Sequence, residues 1–353
     1  MSGSSLDGLD IVYVHIDETR GKWSFEIKAA DCYAYDEEWI HKLKQAKDLS
    51  VADFLKLHTA YGHYLGNQVK QFMDAHGLEL KVDFLASHGH TVFHNPEEKT
   101  TFQLGDGSAI AAELAMPVIS DLRAMDVALG GQGAPIVPVG DRLFFNEHHY
   151  LLNLGGIANV TAKNGDSYTA FDICACNQVL NYFAAKKGLE YDEAGNLAKA
   201  GMVNEQVLEQ LNGISYYHLL PPKSLANEFS VEEIIPVIEA ANLSPEDALA
   251  TSVYHIAEQI THALKNLPLQ STPATMLVTG GGALNKYLVV VLQSLLAPEE
   301  ITLVVPDEQL IQYKEAVVMA LIGALRWREE ENVFASVTGA ERDSVGGALW
   351  MGR

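Results

Sequence analysis

Basic residues are scarce in this chain of 353 residues: Lys and Arg number 24 against 46 Asp and Glu, for a formal net charge of −22. So acidic a surface repels phosphate backbones and anionic headgroups, which argues against nucleic acid and membrane as partners. It still allows a small anion held by backbone dipoles inside a cleft. Cysteine is scarce as well. Cys32, Cys174 and Cys176 cannot all pair with one another, Cys-x-Cys is too close for an ordinary disulfide, and no second pair completes a zinc site, so reduced thiols are expected. No basic N-terminal region leads into an apolar core, and no apolar run reaches membrane-spanning length, so a soluble, cytoplasmic protein is expected. The triplet Gly280, Gly281 and Gly282 lacks GxGxxG spacing, which removes the main support for a nicotinamide-dependent hydride transfer.

What is present suits a globular protein of two domains, since the length exceeds a single ordinary core and 48% of the residues are apolar. Residues 150–177, YLLNLGGIANVTAKNGDSYTAFDICACN, organise the rest. An apolar strand enters a glycine pair, a polar hairpin follows, and a second strand ends on Asp172. A glycine pair after a strand lets a ligand approach the backbone, whose N–H groups can hold phosphate oxygens. A carboxylate at a strand end with one wet side is where a general base belongs. The competing reading is a tight hairpin with a turn aspartate.

Elsewhere, residues 1–10 offer small residues and a carboxylate suited to a phosphate-facing turn, ahead of a hairpin across residues 17–22. A long helix to His76 is expected from the Ser50/Asp53 capping box, with Val51, Phe54, Tyr61, Leu65, Val69 and Phe72 as its apolar stripe and Gly77 as its stop. His88, His90 and His94 follow a strand; they read either as ligand-binding histidines at a strand end or as part of a metal site. The run SDLRAMD places Arg123 at a pocket edge able to clamp a carboxylate bidentately, or in an internal ion pair with Asp121 or Asp126. Residues 130–138, glycines closed by prolines, read as a hinge or interdomain crossing. A long helical stretch is expected over residues 230–266, capped at Ser244 with Glu246 and Asp247 in its first turn, and a helix over 312–329 carries Glu315 among small apolar residues.

Three glycine turns thus occur after or between strands, near residues 3–8, 154–158 and 280–283. With MSGSSLDGLD, SHGHTVFHNP, FQLGDGSAIA, DLRAMDVALGGQGAPIVP, LNLGGIANVT, FDICACN, YDEAGNLAKAG, PPKSLANEF, VTGGGALN and KEAVVMALIG in order, the chain resembles the anhydro-N-acetylmuramic acid kinase family, within the sugar kinase, actin and Hsp70 class. That resemblance implies a two-domain actin-like ATPase (ribonuclease H-like) α/β fold with an interdomain cleft, divided as 1–128 plus 335–353 and 129–334. It implies ATP and Mg²⁺ as cofactors, a small-molecule anhydro amino sugar as substrate, and a homodimer. The family's reaction opens the 1,6-anhydro bridge with water while phosphorylating O6. By match to the family's motifs, Asp172 is the base. Gly3, Ser4, Ser5, Leu6, Asp7, Gly8, Leu9 and Asp10 form the first phosphate turn, with Asp7 or Asp10 reaching magnesium through water. Gly155, Gly156 and Asn159 form the second phosphate turn, and Gly280, Gly281 and Gly282 hold the adenosine. His88, Thr91, Arg123 and Glu315 fall where the sugar and its lactyl carboxylate are expected. The chain departs from the family in Asp172-Ile173-Cys174-Ala175 for DTGP, in His90 for glutamine and in Ala226 for glycine. The missing glycine and proline are expected to alter the turn that aims Asp172. The alternative to an enzyme is a nucleotide-binding sensor or assembly protein of the same fold; a hydrolase built on the three histidines is the third reading.

Overall fold

The computed structural model describes residues 1–3, 6, 8–164, 167–221, 223–226, 228–267 and 273–352. The chain forms two compact units, Met1–Phe144 with Tyr313–Arg353, and Phe145–Gln312. Of the first-turn residues, Ser4, Ser5 and Asp7 lie outside the described residues. No helix among the described residues is long and apolar enough to cross a membrane.

The first unit opens with a hairpin of β1 (Leu9–Thr19) and β2 (Lys22–Tyr33). Its two turn residues, Arg20 and Gly21, have φ of 56° and 78°, the positive values a two-residue hairpin of matching twist requires. Next comes α1 (Val51–His76), where Ser50 accepts a hydrogen bond from the Asp53 N–H at 3.2 Å and Gly77 closes the helix in the left-handed region. Leu57, Tyr61, Leu65, Val69 and Phe72 are buried along it, whereas Val51 is 78% exposed, so the apolar stripe begins after the first turn. A short strand β3 (Leu85–Ala86) is followed by the hairpin of β4 (His90–Asn95) and β5 (Thr100–Leu104), α2 (Gly107–Leu114) and β6 (Val118–Ser120). Gly62 and Gly66 let α1 sit close to α2, since a Cβ at either would come within 2.7 Å of Asp106 or Glu113.

The second unit is built on one five-stranded sheet. Its strands β7 (Tyr150–Leu154), β8 (Ile157–Asn164) and β9 (Ser167–Ala175) form an antiparallel meander. Helix α3 (Asn177–Ala185) follows, and α4 (Pro245–Lys265) packs beneath the sheet before β10 (Ala274–Thr279), α5 (Lys286–Leu296) and β11 (Ile301–Val304). β10 runs parallel to β7 and β11 parallel to β10, giving the order β9-β8-β7-β10-β11. Third, second, first, fourth, fifth strand is the ribonuclease H-like arrangement, and it leaves β9 as an edge. Leu152, Leu154, Val160 and Ile173 from the sheet join Val253, Ile256 and Ile260 of α4 in one core.

The helical stretch expected over 230–266 comes in separate pieces, with the cap expected at Ser244 in place. Residues Ile235–Ala240 end at Asn242, whose φ is 51°, and α4 starts afresh with Ser244 as N-cap and Pro245 in its first turn. Helix α6 (Glu308–Trp327) starts earlier than expected, because Asp307 Oδ1 accepts from the Leu310 N–H at 2.8 Å. From Tyr313 onward it belongs to the first unit. The strand β12 (Ala348–Trp350) then pairs antiparallel with β6, which is parallel to β3. In the same unit a groove of about 350 Å³ lies among β1, α1, β3 and α6; Leu9 and Asp10 line it, but His88, Arg123 and Glu315 do not.

Residues 130–138 are built into the first unit rather than left loose. Gly131 N–H bonds the Asp126 carbonyl, Gln132 N–H bonds the Thr338 carbonyl, and Gly133 N–H donates to Asp126 Oδ2 at 2.6 Å. The fully buried Asp126 receives the Thr338 hydroxyl on its other oxygen at 2.6 Å. A loop anchored at three successive residues is a wall, which corrects its reading as a hinge. The units divide at Phe144/Phe145 and Gln312/Tyr313 and not at the 128/129 and 334/335 expected from sequence, so residues 129–144 and 313–334 belong to the first unit.

Candidate active site

In the first unit, β3 and β6 are adjacent and parallel, and both deliver site residues just past their C-terminal ends. Ser87 N–H bonds the Ile119 carbonyl at 2.8 Å, so the segments leading to His88 and Arg123 leave the sheet side by side. Carboxyl ends of parallel strands are where α/β sheets bind ligands. Arg123 Nε donates to His88 Nε2 at 2.9 Å, and Arg123 Nη1 donates to the Gly133 carbonyl at 2.5 Å. His88 Nδ1 is 3.0 Å from the Gly89 carbonyl, which can only accept. His88 is therefore neutral, with its proton on Nδ1 and its Nε2 lone pair facing the guanidinium. Two edges of Arg123 are spent on fixing its pose, and Nη2 with the second Nη1 hydrogen remains for a ligand. Neither Asp121 nor Asp126 takes it: Ser120 donates to Asp121, and Asp126 is occupied as above. Burial lowers the Arg123 pKa, and the charge of the exposed Glu315 acts against that.

Burial, then the Arg123 charge, pushes the His88 pKa down to about 3. The folded state therefore refuses a proton that the unfolded chain takes near 6.5. Stability from this residue is complete above that value and is lost as pH falls towards 3, at about 1.4 kcal/mol per pH unit. Nitrogen-resolved NMR is expected to show His88 neutral at pH 5 with the proton on Nδ1. Titration near 6.5 would refute this environment.

The three histidines do not converge. His90, which is buried, bonds Ser2 Oγ at 3.1 Å, and Ser2 receives the Tyr35 hydroxyl; His94, which is exposed, bonds Thr101 Oγ1 at 3.0 Å. A register shift between Thr91 and Phe93 in the β4–β5 ladder separates the two ring environments and leaves Thr91 exposed. Among the described residues no group of three or more histidine, cysteine and carboxylate side chains is arranged to hold a metal. His90 instead anchors Ser2, at the start of the first glycine turn. In that turn Leu6, Gly8 and Leu9 are buried, and a Cβ on Gly8 would lie 2.4 Å from Cys32 Sγ.

In the second unit the two other glycine turns lie together. Gly155 and Gly156 connect β7 to β8, and their carbonyls accept from Asn177 N–H and Cys176 N–H at 3.1 and 2.8 Å, closing the turn against the start of α3. Gly280, with φ of 81°, has no room for a Cβ, which would meet Asn153 Oδ1 at 2.5 Å and the Leu154 carbonyl carbon at 2.8 Å. Gly282 is equally tight against Leu154, while Gly281 is exposed. Asn177 Nδ2 donates to the Leu154 carbonyl at 2.9 Å and joins the two turns. Bare backbone over this patch is what a nucleotide needs for close approach. The Gln178 carboxamide lies against Gly156, and its buried Oε1 has no partner among the described residues.

Asp172 stands on β9 opposite Asn159 of β8, half-buried. The expected turn after it does not form. Ile173, Cys174 and Ala175 are buried and the strand continues through them. Ala158 pairs with Cys174 and Asn159 with Asp172, so Ile173 is an extra residue and the ladder bulges beside the carboxylate. A bulge re-aims a side chain without glycine or proline. Asp172 Oδ2 accepts the Leu225 N–H at 3.0 Å, and Asp172 N–H bonds the Lys223 carbonyl at 3.2 Å. Sequence reading missed Tyr216, Lys223, Leu225 and Gln178. The run SYYHLLPPKSLANEF reads from sequence as a proline-rich loop with aromatics, and nothing local in it points to Asp172. Burial raises the thiol pKa of Cys174 well above the ordinary value and that of Cys176 to about 12, so both are protonated core residues.

Comparison with known proteins bears on these two sets of residues. Residues 1–352 match the family model described as anhydro-N-acetylmuramic acid kinase. The anhydro-N-acetylmuramic acid kinase of Francisella tularensis subsp. novicida is 33% identical over 99% of this chain and 97% of its own length. That of Pseudoalteromonas translucida is 32% identical over 82% of this chain and 78% of its own. Among solved structures, a ROK family glucokinase from Streptomyces griseus in complex with glucose and AMPPNP is 12% identical, with a TM-score of 0.37 over 88% of this chain and 98% of that one.

Proposed function

The chain belongs to the anhydro-N-acetylmuramic acid kinase family, and from that premise we propose how its own residues carry the family's reaction. The enzyme is a phosphotransferase that uses ATP to convert 1,6-anhydro-N-acetylmuramic acid into N-acetylmuramic acid 6-phosphate. The bridge oxygen O6 has no proton to lose and becomes nucleophilic only as its bond to C1 breaks. Water therefore attacks C1, the C1–O6 bond opens, O6 takes the γ-phosphoryl group and ADP leaves.

Asp172 takes the proton of that water, through Oδ1, since Oδ2 is engaged by Leu225. Arg123 pairs with the lactyl carboxylate through its remaining donors. His88 orients that guanidinium, and Thr91 and Glu315 bind sugar hydroxyls. Gly155, Gly156 and Asn159 hold phosphate oxygens and Gly280, Gly281 and Gly282 the adenosine, while the first turn, with Gly3, Leu6, Gly8 and Leu9, holds phosphate as well. Magnesium, when bound with ATP, would supply charge neutralisation at the transferred phosphate. Carboxylate chemistry suits its water shell, and Asp10, the described carboxylate flanking the first turn, or Asp7 would hold it there.

The observation that carries the proposal is the bulged, loop-held carboxylate of Asp172 on the sheet whose glycine turns leave bare backbone. Incubation with ATP, Mg²⁺ and the anhydro sugar is expected to give a product heavier by one phosphate and one water. ATP turnover that leaves the sugar unchanged would favour the sensor reading instead.

A further inference from the structure

We infer that Tyr216 is a positioning residue for the Asp172 carboxylate, acting through the loop that covers the edge of β9. The inference rests on reading Asp172 as the general base. β9 is the edge strand of its sheet, and an uncovered edge presents unpaired backbone groups. At Asp172 both outward groups are taken from one direction: its N–H by the Lys223 carbonyl at 3.2 Å, and its carbonyl by the Tyr216 hydroxyl at 2.7 Å. The carboxylate is held from that loop too, by Leu225 N–H. Three bonds from residues 216, 223 and 225 thus fix backbone and side chain at the position where the bulge loosens the ladder with β8. Without them, Asp172 would have only the interrupted ladder to hold its direction.

The loop is itself braced on the tyrosine. Lys223 Nζ lies 4.5 Å from the centre of the Tyr216 ring and donates to the Tyr216 carbonyl at 3.3 Å. The ring also packs with Phe229, at 5.4 Å between centres. Burial, then the neighbouring Asp172, raises the Tyr216 pKa, which keeps the hydroxyl a donor. Tyr216 therefore links the lysine that bonds the Asp172 N–H to the carbonyl of Asp172 itself. Its role is to point the base; it needs no contact with substrate.

Tyr216→Phe isolates the hydroxyl, because phenylalanine keeps the ring that Lys223 and Phe229 pack on. Its kcat is expected to fall roughly 3- to 10-fold, the worth of one hydrogen bond, with KM for ATP unchanged and the thermal midpoint within a few degrees of the parent. The discriminating measurement places the same change in Asp172→Asn, under single-turnover conditions. If Tyr216 acts through Asp172, the double variant is no slower than Asp172→Asn alone. An equal fall in both backgrounds, or no fall in the parent, would overturn the positioning role. Near-normal turnover by Asp172→Asn alone would instead overturn the assignment of the base.

Discussion

Replacing Asp172 by asparagine is expected to lower turnover by about 10²–10⁴-fold, the usual cost of losing a positioned general base, while ATP and sugar still bind. Asparagine keeps the shape and can still accept the Leu225 N–H through its carbonyl oxygen, so the loop over β9 remains in place. What it cannot do is take a proton from water. The measurement is kcat beside the dissociation constants of both ligands. Retained turnover would move the base elsewhere, whereas lost binding would show that the substitution disturbs more than proton transfer.

Arg123→Lys is expected to weaken anhydro-muramic substrate roughly 10- to 100-fold, the range of a lost charge-assisted hydrogen bond. An anhydro-glucosamine analogue without the lactyl carboxylate should lose much less. The comparison is needed because Arg123 has two duties. Lysine gives up the bond to His88 Nε2 and that to the Gly133 carbonyl, and this structural part falls on both sugars alike. Only the excess loss on the carboxylate-bearing sugar reports the clamp. Equal losses in kcat/KM for the two sugars would leave Arg123 as a brace for the 130–138 wall.

Much of this was legible from sequence because the signals are local. The Ser50/Asp53 cap, the Gly77 stop and the hairpin over residues 17–22 depend on neighbours within a few positions, and each forms as read. The glycine turns near residues 154–158 and 280–283 were legible for the same reason; at Gly280 a positive φ and a close approach to Leu154 leave no alternative residue.

What escaped depends on register and distant partners. Residues DICA read as a disturbed turn, but apolar residues that fit the core carry β9 onward, and one extra residue in the ladder supplies the bend. The three histidines look like a cluster in sequence; the slip beside Val92 gives His90 and His94 separate partners, and Arg123 occupies His88. Asp126 read as a partner for Arg123, yet it anchors the wall through Thr338, a residue more than two hundred positions away. Tyr216 reaches Asp172 only because β9 is an edge strand, and strand order cannot be seen in a run such as SYYHLL.

The central claim is that water opens the bridge at C1 while O6 receives the phosphoryl group. It is tested most directly by running the reaction in ¹⁸O-enriched water and sampling product before the anomeric oxygen exchanges. The account predicts one heavy oxygen on C1, one phosphate on O6, and no heavy oxygen in the phosphate ester. A phosphorylated sugar whose anhydro bridge is intact, or heavy oxygen confined to inorganic phosphate, would contradict it.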